Sequence, residues 1–174
     1  MIFAVVGPSG AGKDTLIAGA LAARPDLHRV RRVITRPSGA GGEDFDGVTE
    51  AEFRRRKAAG DFVLDWSAHG LLYGIPRAAL AGPGDAIFNG SRAALAQAMQ
   101  RLPGLVVVLV TAPDVVLAER LAARGRETAQ DIGARLSRAA FTLPETIHLR
   151  VVVNDGTPAE GIARLLAALQ PVNA

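Results

Sequence analysis

Between an apolar run, Ile2 to Val6, and a stretch with apolar residues at helical spacing, Lys13 to Ala23, lies Gly7-Pro8-Ser9-Gly10-Ala11-Gly12-Lys13-Asp14-Thr15. This fits the phosphate-loop pattern G-x-x-x-x-G-K-[ST] at every position but the last, where Asp14 replaces the hydroxyl residue. The order strand, glycine loop, helix is the context the motif requires. Glycines let backbone N–H groups turn inward around a polyphosphate. The helix opening at Lys13 aims its positive end at the same anion. Lys13 then reaches the outer phosphates of ATP and follows their charge during transfer. Asp14 offers a hard oxygen ligand for Mg²⁺, or accepts N–H groups in the first helical turn. Thr15 supplies a hydroxyl one residue further on.

The remaining chain reads as alternating strands and helices. Strands are expected at Val30 to Thr35, Phe62 to Trp66, Ala86 to Phe88, Leu105 to Val110 and Val151 to Val153. Thr49-x-x-Glu52 and Thr157-Pro158-x-Glu160 read as capping boxes opening helices. Ser91 and Thr111 to Pro113 start two more, and Pro37 to Gly47 reads as a loop. This pattern predicts an α/β fold of three layers, the P-loop NTPase architecture, with a parallel sheet and helices on both faces. Ligands are then expected at the carboxyl ends of the strands. At 174 residues, one domain is expected over 1–174.

Composition narrows the partners. The chain is 49% hydrophobic and 21% charged, which suits a globular core. No apolar run approaches the ~18 residues that span a bilayer, and no secretory leader is read at the start, so no membrane partner and a cytoplasmic location are expected. There are no cysteines, which excludes disulfides and thiolate metal sites. The net charge is +3, and among twenty basic residues only Lys13 and Lys57 are lysines. Arg29 to Arg32 and Phe53 to Lys57 are short basic runs with few aromatics, so no nucleic-acid partner is expected. The expected partner is a small molecule, and the oligomeric state is not readable.

Further segments resemble guanylate kinases in order along the chain. These are Thr35-Arg36-Pro37-Ser38-Gly39, Gly41-Gly42-Glu43, Phe62 to Trp66, Tyr73-Gly74, Arg120-Leu121-Ala122-Ala123-Arg124-Gly125-Arg126-Glu127 with Arg135-Leu136, and Val152-Val153-Asn154-Asp155. The acceptor side departs from that family. Gly39 stands where a second Arg is usual, Val48 lies near the place of a phosphate-holding Tyr, and Asn89-Gly90-Ser91-Arg92 replaces an Asp-rich motif. These replacements are similar to ribose 1,5-bisphosphate phosphokinases, the PhnN family of phosphonate catabolism. Its members share "GPSGxGKD", "ITR", "HGLxYG", "NGSR", "RGRE" and "NDG", all present here in register.

The resemblance implies a guanylate-kinase-like P-loop kinase that phosphorylates ribose 1,5-bisphosphate to 5-phosphoribosyl 1-diphosphate, PRPP, with ATP and Mg²⁺. It implies an acceptor-binding region at about 34–80 and a lid at about 124–140. Gly7 through Thr15 hold ATP, Asp14 is the metal ligand, and Asn154 and Asp155 lie near the adenine. Arg36, Tyr73, His69, Asn89 and Arg92 face the acceptor. Lys13, Arg36, Arg124 and Arg135 stabilise the transferred phosphoryl. Arg92 sits at a helix start, where a cation opposes the helix dipole, which itself points to an anion. Trp66 is expected in the core, Asp65 is a candidate acceptor-site carboxylate, and Arg120 and Arg138 are read as solvated helix residues.

Overall fold

Ile2 to Val6 and Val106 to Thr111 are apolar at successive positions, a pattern that suits strands covered on both faces. In the computed structural model, which describes residues 1–38, 43–123 and 148–171, both lie at the centre of a sheet. The elements run β1 (Ile2–Val6), α1 (Lys13–Ala23), β2 (Leu27–Arg29), β3 (Arg32–Ile34), β4 (Phe45–Gly47), α2 (Glu50–Ala58), β5 (Phe62–Ala68), β6 (Leu71–Pro76), β7 (Asp85–Asn89), α3 (Leu95–Arg101), β8 (Val106–Thr111), α4 (Asp114–Ala123), β9 (Leu149–Val153) and α5 (Pro158–Ala168). Short 3₁₀ turns at Ala78–Leu80 and Arg92–Ala94 flank β7.

Five strands form a parallel sheet in the order β2-β7-β1-β8-β9. Side-chain alternation along β1 divides the core. Phe3 and Val5 join Leu16 and Ile17 of α1 and Leu165 of α5 on one face. Ala4 and Val6 join Leu95 and Ala98 of α3, with Leu64, Trp66 and Ile75, on the other. The three expected layers are thus present.

A second sheet, β4-β3-β6-β5, adds what an all-parallel reading lacks. Here β6 runs antiparallel to both β3 and β5. The β5–β6 connection is a two-residue turn with φ of 52° at His69 and 72° at Gly70. Positive φ at both central positions defines the turn whose twist matches a hairpin. The run expected as a strand from Val30 to Thr35 forms only β3, in the small sheet, while β2, which the sequence reading did not expect, lies just before that run and belongs to the large sheet. The end of the expected loop at Pro37 to Gly47 is recruited as β4, parallel to β3. Helix α2 covers this sheet through Phe53, stacked on Phe62 at 4.7 Å.

The two capping boxes differ. Thr49 accepts from the Glu52 amide, but the Glu52 carboxylate pairs with Arg55 instead of closing the box. At α5 the box is complete: Glu160 N–H donates to Thr157 Oγ1, and Thr157 N–H donates to Glu160 Oε2 at 2.7 Å. Those bonds from the Thr157 backbone and side chain hold the Glu160 carboxyl below its ordinary range. A lowered folded pKa contributes stability above the ordinary Glu value, about 4.3, and loses it as pH falls through the lowered one. Glu160→Gln is therefore expected to melt below wild type by a constant interval near neutral pH. That interval should close as pH drops below the ordinary Glu value, as followed by thermal unfolding across pH.

Candidate active site

The glycine loop leaves β1 and enters α1 through backbone that only glycine accepts easily. Gly7, Gly10 and Gly12 have φ of 151°, 84° and 88°. Gly12 is the N-cap of α1, and Asp14 lies in the first turn. Lys13 Nζ donates to the carbonyls of Gly7 at 2.9 Å and Pro8 at 3.0 Å, so the ammonium lies against the loop itself. The loop is braced from behind by Asn154, just beyond β9. This residue is 5% exposed, and its Nδ2 donates to the Ala11 carbonyl at 2.8 Å.

A cleft of about 550 Å³ opens between this loop and the small sheet. Gly7, Pro8, Ser9 and Lys13 form one wall, and Arg32, Trp66, Ala68, His69 and Tyr73 the other. Asn89, Gly90, Ser91, Arg92 and Ala93, at the carboxyl end of β7, lie between them. The described lining carries Lys13, Arg32 and Arg92 and no carboxylate. Burial pushes the Arg92 guanidinium below the ordinary arginine value, so an anion beside it would restore part of what desolvation removes. Trp66 and Tyr73 stack with centroids 5.4 Å apart and planes 4° from parallel. The Arg32 guanidinium lies 5.1 Å from the Tyr73 ring centre and 6.0 Å from that of Trp66.

A polar chain connects the two walls. Asn89 Nδ2 donates to Asp14 Oδ1 at 2.8 Å and to Glu43 Oε2 at 3.0 Å. Glu43 in turn receives both Nε, at 2.7 Å, and Nη2 of Arg32. A planar fork on a carboxylate is the strongest of side-chain ion-pair geometries. On the far side of the loop a second pocket, about 270 Å³, is lined by Gly10, Gly12, Thr15, Leu16, Arg120, Ala123, Asn154, Gly156 and Pro158.

The sequence-expected residues distribute as follows. The cleft gathers Gly7, Pro8, Ser9, Lys13, His69, Tyr73, Asn89 and Arg92, and the second pocket gathers Gly10, Gly12, Thr15 and Asn154. Ala11, within the loop, is fully buried. Asp14 faces Asn89. Arg36 is not among the cleft-lining residues; its guanidinium lies 4.3 Å over the Phe45 ring. Asp155 is exposed and paired with Arg164 at 2.6 Å, a bond that holds its carboxyl below the ordinary range. Asp65 pairs with Lys57 and is not among the cleft-lining residues. Arg124, Arg126, Arg135 and Arg138 lie outside the described residues.

Four residues come forward that the sequence did not single out for a site: Arg32, Glu43, Trp66 and Arg120. Arg32 looked like part of a basic run, and Trp66 is indeed 9% exposed yet borders the cleft. Arg120 lines the second pocket rather than standing in solvent.

A phosphate loop at the ends of a parallel sheet, facing a cationic cleft under a small mixed sheet, defines a P-loop kinase of the guanylate-kinase type. A guanylate kinase from Anaplasma phagocytophilum superimposes with a TM-score of 0.71 at 19% identity, over 96% of this chain and 82% of that one. A gluconokinase from Sinorhizobium meliloti 1021 gives 0.52 at 18% identity, over 97% and 90%. At such identities the likeness is one of fold.

The chain itself belongs to the ribose 1,5-bisphosphate phosphokinase family. It is 46% identical to ribose 1,5-bisphosphate phosphokinase PhnN of Ruegeria sp. (strain TM1040) over 173 residues, 97% of this chain and 91% of that protein. Against the PhnN of Acidiphilium cryptum (strain JF-5) the identity is 48% over 172 residues, 95% and 90% of the two chains. A bifunctional ribose 1,5-bisphosphokinase-thymidine phosphorylase from Cupriavidus necator is 49% identical over 172 residues, and the chain spans 29% of that protein's length. No protein-family model matches the chain.

Two outcomes follow from this geometry. Asn154→Ala strands the buried Ala11 carbonyl and lowers unfolding free energy by about 1–3 kcal/mol, read from urea midpoints. Trp66 is the only tryptophan, so inorganic tripolyphosphate entering the cleft changes its emission saturably. An unchanged spectrum, with binding shown by calorimetry, would contradict the cleft as the anion site.

Proposed function

We propose that this chain transfers the γ-phosphoryl group of ATP to the 1-phosphate of ribose 1,5-bisphosphate, releasing ADP and 5-phosphoribosyl 1-diphosphate. The observation that carries this reading is the cleft: a phosphate loop on one wall, a cationic sheet on the other, and Lys13, Arg32 and Arg92 with no carboxylate in the described lining. A site that brings a triphosphate beside a sugar bisphosphate needs that charge balance, because like charges must be held together in a confined space. The PhnN relatives, at 46–48% identity over most of both chains, are named for the same reaction.

In this reading the loop amides and the first turn of α1 receive the donor's phosphates. Lys13 exchanges the Gly7 and Pro8 carbonyls for phosphate oxygens. The adenosine end extends toward the second pocket, beside Arg120, Asn154 and Gly156, with Asp155 at its solvent side paired to Arg164. Tyr73, His69, Asn89 and Arg92 orient the acceptor, with Arg36 at the edge of the same region. Arg124 and Arg135 are retained as lid cations on their sequence match. An acceptor phosphate oxygen attacks the γ-phosphorus as the bond to the β-bridging oxygen breaks. The acceptor is already ionised, so no base is required, and His69 has a positioning role.

Asp14 fits a magnesium ion. It places one hard oxygen in the first turn of α1, in the small cavity it shares with Glu43 and Asn89 behind the cleft. Magnesium bound through one carboxylate, with phosphates and water completing its shell, is the usual arrangement beside nucleotides. When bound, the ion would neutralise charge on the donor phosphates. ATP as donor also places the reaction in the cytoplasm.

The test is ADP release with MgATP and either ribose 1,5-bisphosphate or GMP, with ³¹P NMR of the product. Turnover of the sugar with a new diphosphate signal is expected, lost on chelation of magnesium. Lys13→Ala is expected to lower kcat/KM by about 10²–10³-fold. Turnover of GMP alone would overturn the proposal, and silence on both would leave a binding module in place of a kinase.

A further inference from the structure

Arg32 is the cleft cation with the most constrained surroundings. We propose that it binds the phosphate of the sugar bisphosphate that does not react, and that Glu43 is the positioning residue that fixes it. The inference rests on the reading of the acceptor just given.

Three features point this way. The first is placement. Arg32 opens β3 in the small sheet and lines the cleft on the wall facing the phosphate loop. The phosphoryl group is transferred at Lys13, on the loop wall. The acceptor's reacting phosphate must sit beside it, so the second phosphate of a bridging sugar falls toward the opposite wall.

The second is preorganisation. The Arg32 side chain is 13% exposed and Glu43's is 8% exposed. Nε and Nη2 of Arg32 are committed to Glu43, which leaves Nη1 as the remaining nitrogen. Tyr73 and Trp66 hold the guanidinium by their rings, at 5.1 and 6.0 Å. An arginine fixed on one edge by a carboxylate and flanked on one side by two mutually stacked aromatic rings loses little conformational freedom when an oxyanion arrives.

The third is the position of the counter-charge. Glu43 does not line the cleft. It lies behind Arg32, in the small cavity it shares with Asp14 and Asn89. Its charge therefore orients the guanidinium without meeting the ligand's phosphate. Glu43 is itself fixed by Asn89, whose two amide hydrogens serve Glu43 and Asp14. An acceptor lacking the second phosphate would leave Arg32 desolvated with donors unmet, so the residue also selects a bisphosphate over a monophosphate.

The experiment compares wild type, Arg32→Met, Arg32→Lys and Glu43→Gln with ribose 1,5-bisphosphate and with ribose 1-phosphate. Dissociation constants come from calorimetry with ADP present, and kcat and KM from ADP release. Wild type is expected to favour the bisphosphate by about 10²-fold or more. Arg32→Met should weaken the bisphosphate by about 10²-fold, in KM more than kcat, and change ribose 1-phosphate affinity by less than about 3-fold. Arg32→Lys, which keeps charge without the fork, should fall between and serves if the Met variant does not fold. Glu43→Gln should raise the bisphosphate KM about 10-fold while the KM for ATP holds, a split that a purely structural role would not give.

Equal losses on both sugars, or no loss on either, with wild type active would overturn the inference and leave the proposed reaction standing. Wild type inert toward ribose 1,5-bisphosphate would overturn both.

Discussion

The site depends on a backbone contact that leaves no room for a side chain. At Gly7, where β1 ends, an added Cβ would lie 1.9 Å from the Val110 carbonyl oxygen of β8. The chain can leave the sheet between its two central strands only because that position is bare. At Gly12 an added Cβ would lie 2.5 Å from Asn154 Nδ2, and φ is positive as well. These two close approaches fix the loop against the sheet and against the residue that follows β9. They thereby determine where α1 begins and where Lys13 and Asp14 project. The packing of Leu16 and Ile17 against Leu165 holds the helix in that direction.

Division of labour follows from the two sheets. The parallel sheet ends in the loop that would hold the donor. The small sheet, whose antiparallel strands need only a two-residue turn, supplies a wall of Arg32, Trp66, Tyr73 and His69. Between them runs the chain Arg32–Glu43–Asn89–Asp14. A buried ion pair contributes little net stability, because desolvation offsets most of the Coulombic gain. Its value lies in geometry: the amide of Asn89 ties the loop aspartate to the carboxylate that holds Arg32 on the opposite wall. Asp14 in place of a hydroxyl residue is then intelligible as one end of this chain, since its Oδ1 takes a bond from Asn89.

Much of this was legible in the sequence where the signal is local. The loop, its strand and its helix follow from Gly7 to Thr15 and the apolar runs on either side. That Tyr73, His69, Asn89 and Arg92 line the cleft agrees with what the family resemblance of their short motifs implied. What was missed is non-local. Arg32 and Glu43 are eleven residues apart and meet because β3 pairs with β4 in parallel, a three-residue contact inside a stretch that reads as a glycine-rich loop. Trp66 reads as core and is buried, but one ring edge can be buried while another part of the ring borders a cavity. Asp65 alternates away from Trp66 along β5 and so meets Lys57 instead of the acceptor. Asn154 and Asp155 are adjacent, yet one braces the loop and the other pairs with Arg164 in solvent. Neighbouring positions at a strand end point to opposite sides, and the motif alone does not say which points in.

In the proposed reaction one cleft seats donor and acceptor on facing walls. A crystal structure with ADP, magnesium and ribose 1,5-bisphosphate tests it most directly. The sugar is expected between Lys13 and Arg32, its 1-phosphate toward the loop, with Lys13 Nζ moved from the Gly7 and Pro8 carbonyls to phosphate oxygens. A sugar bound away from the Arg32, Trp66 and Tyr73 wall, or Lys13 still held by those two carbonyls with nucleotide in place, would contradict it.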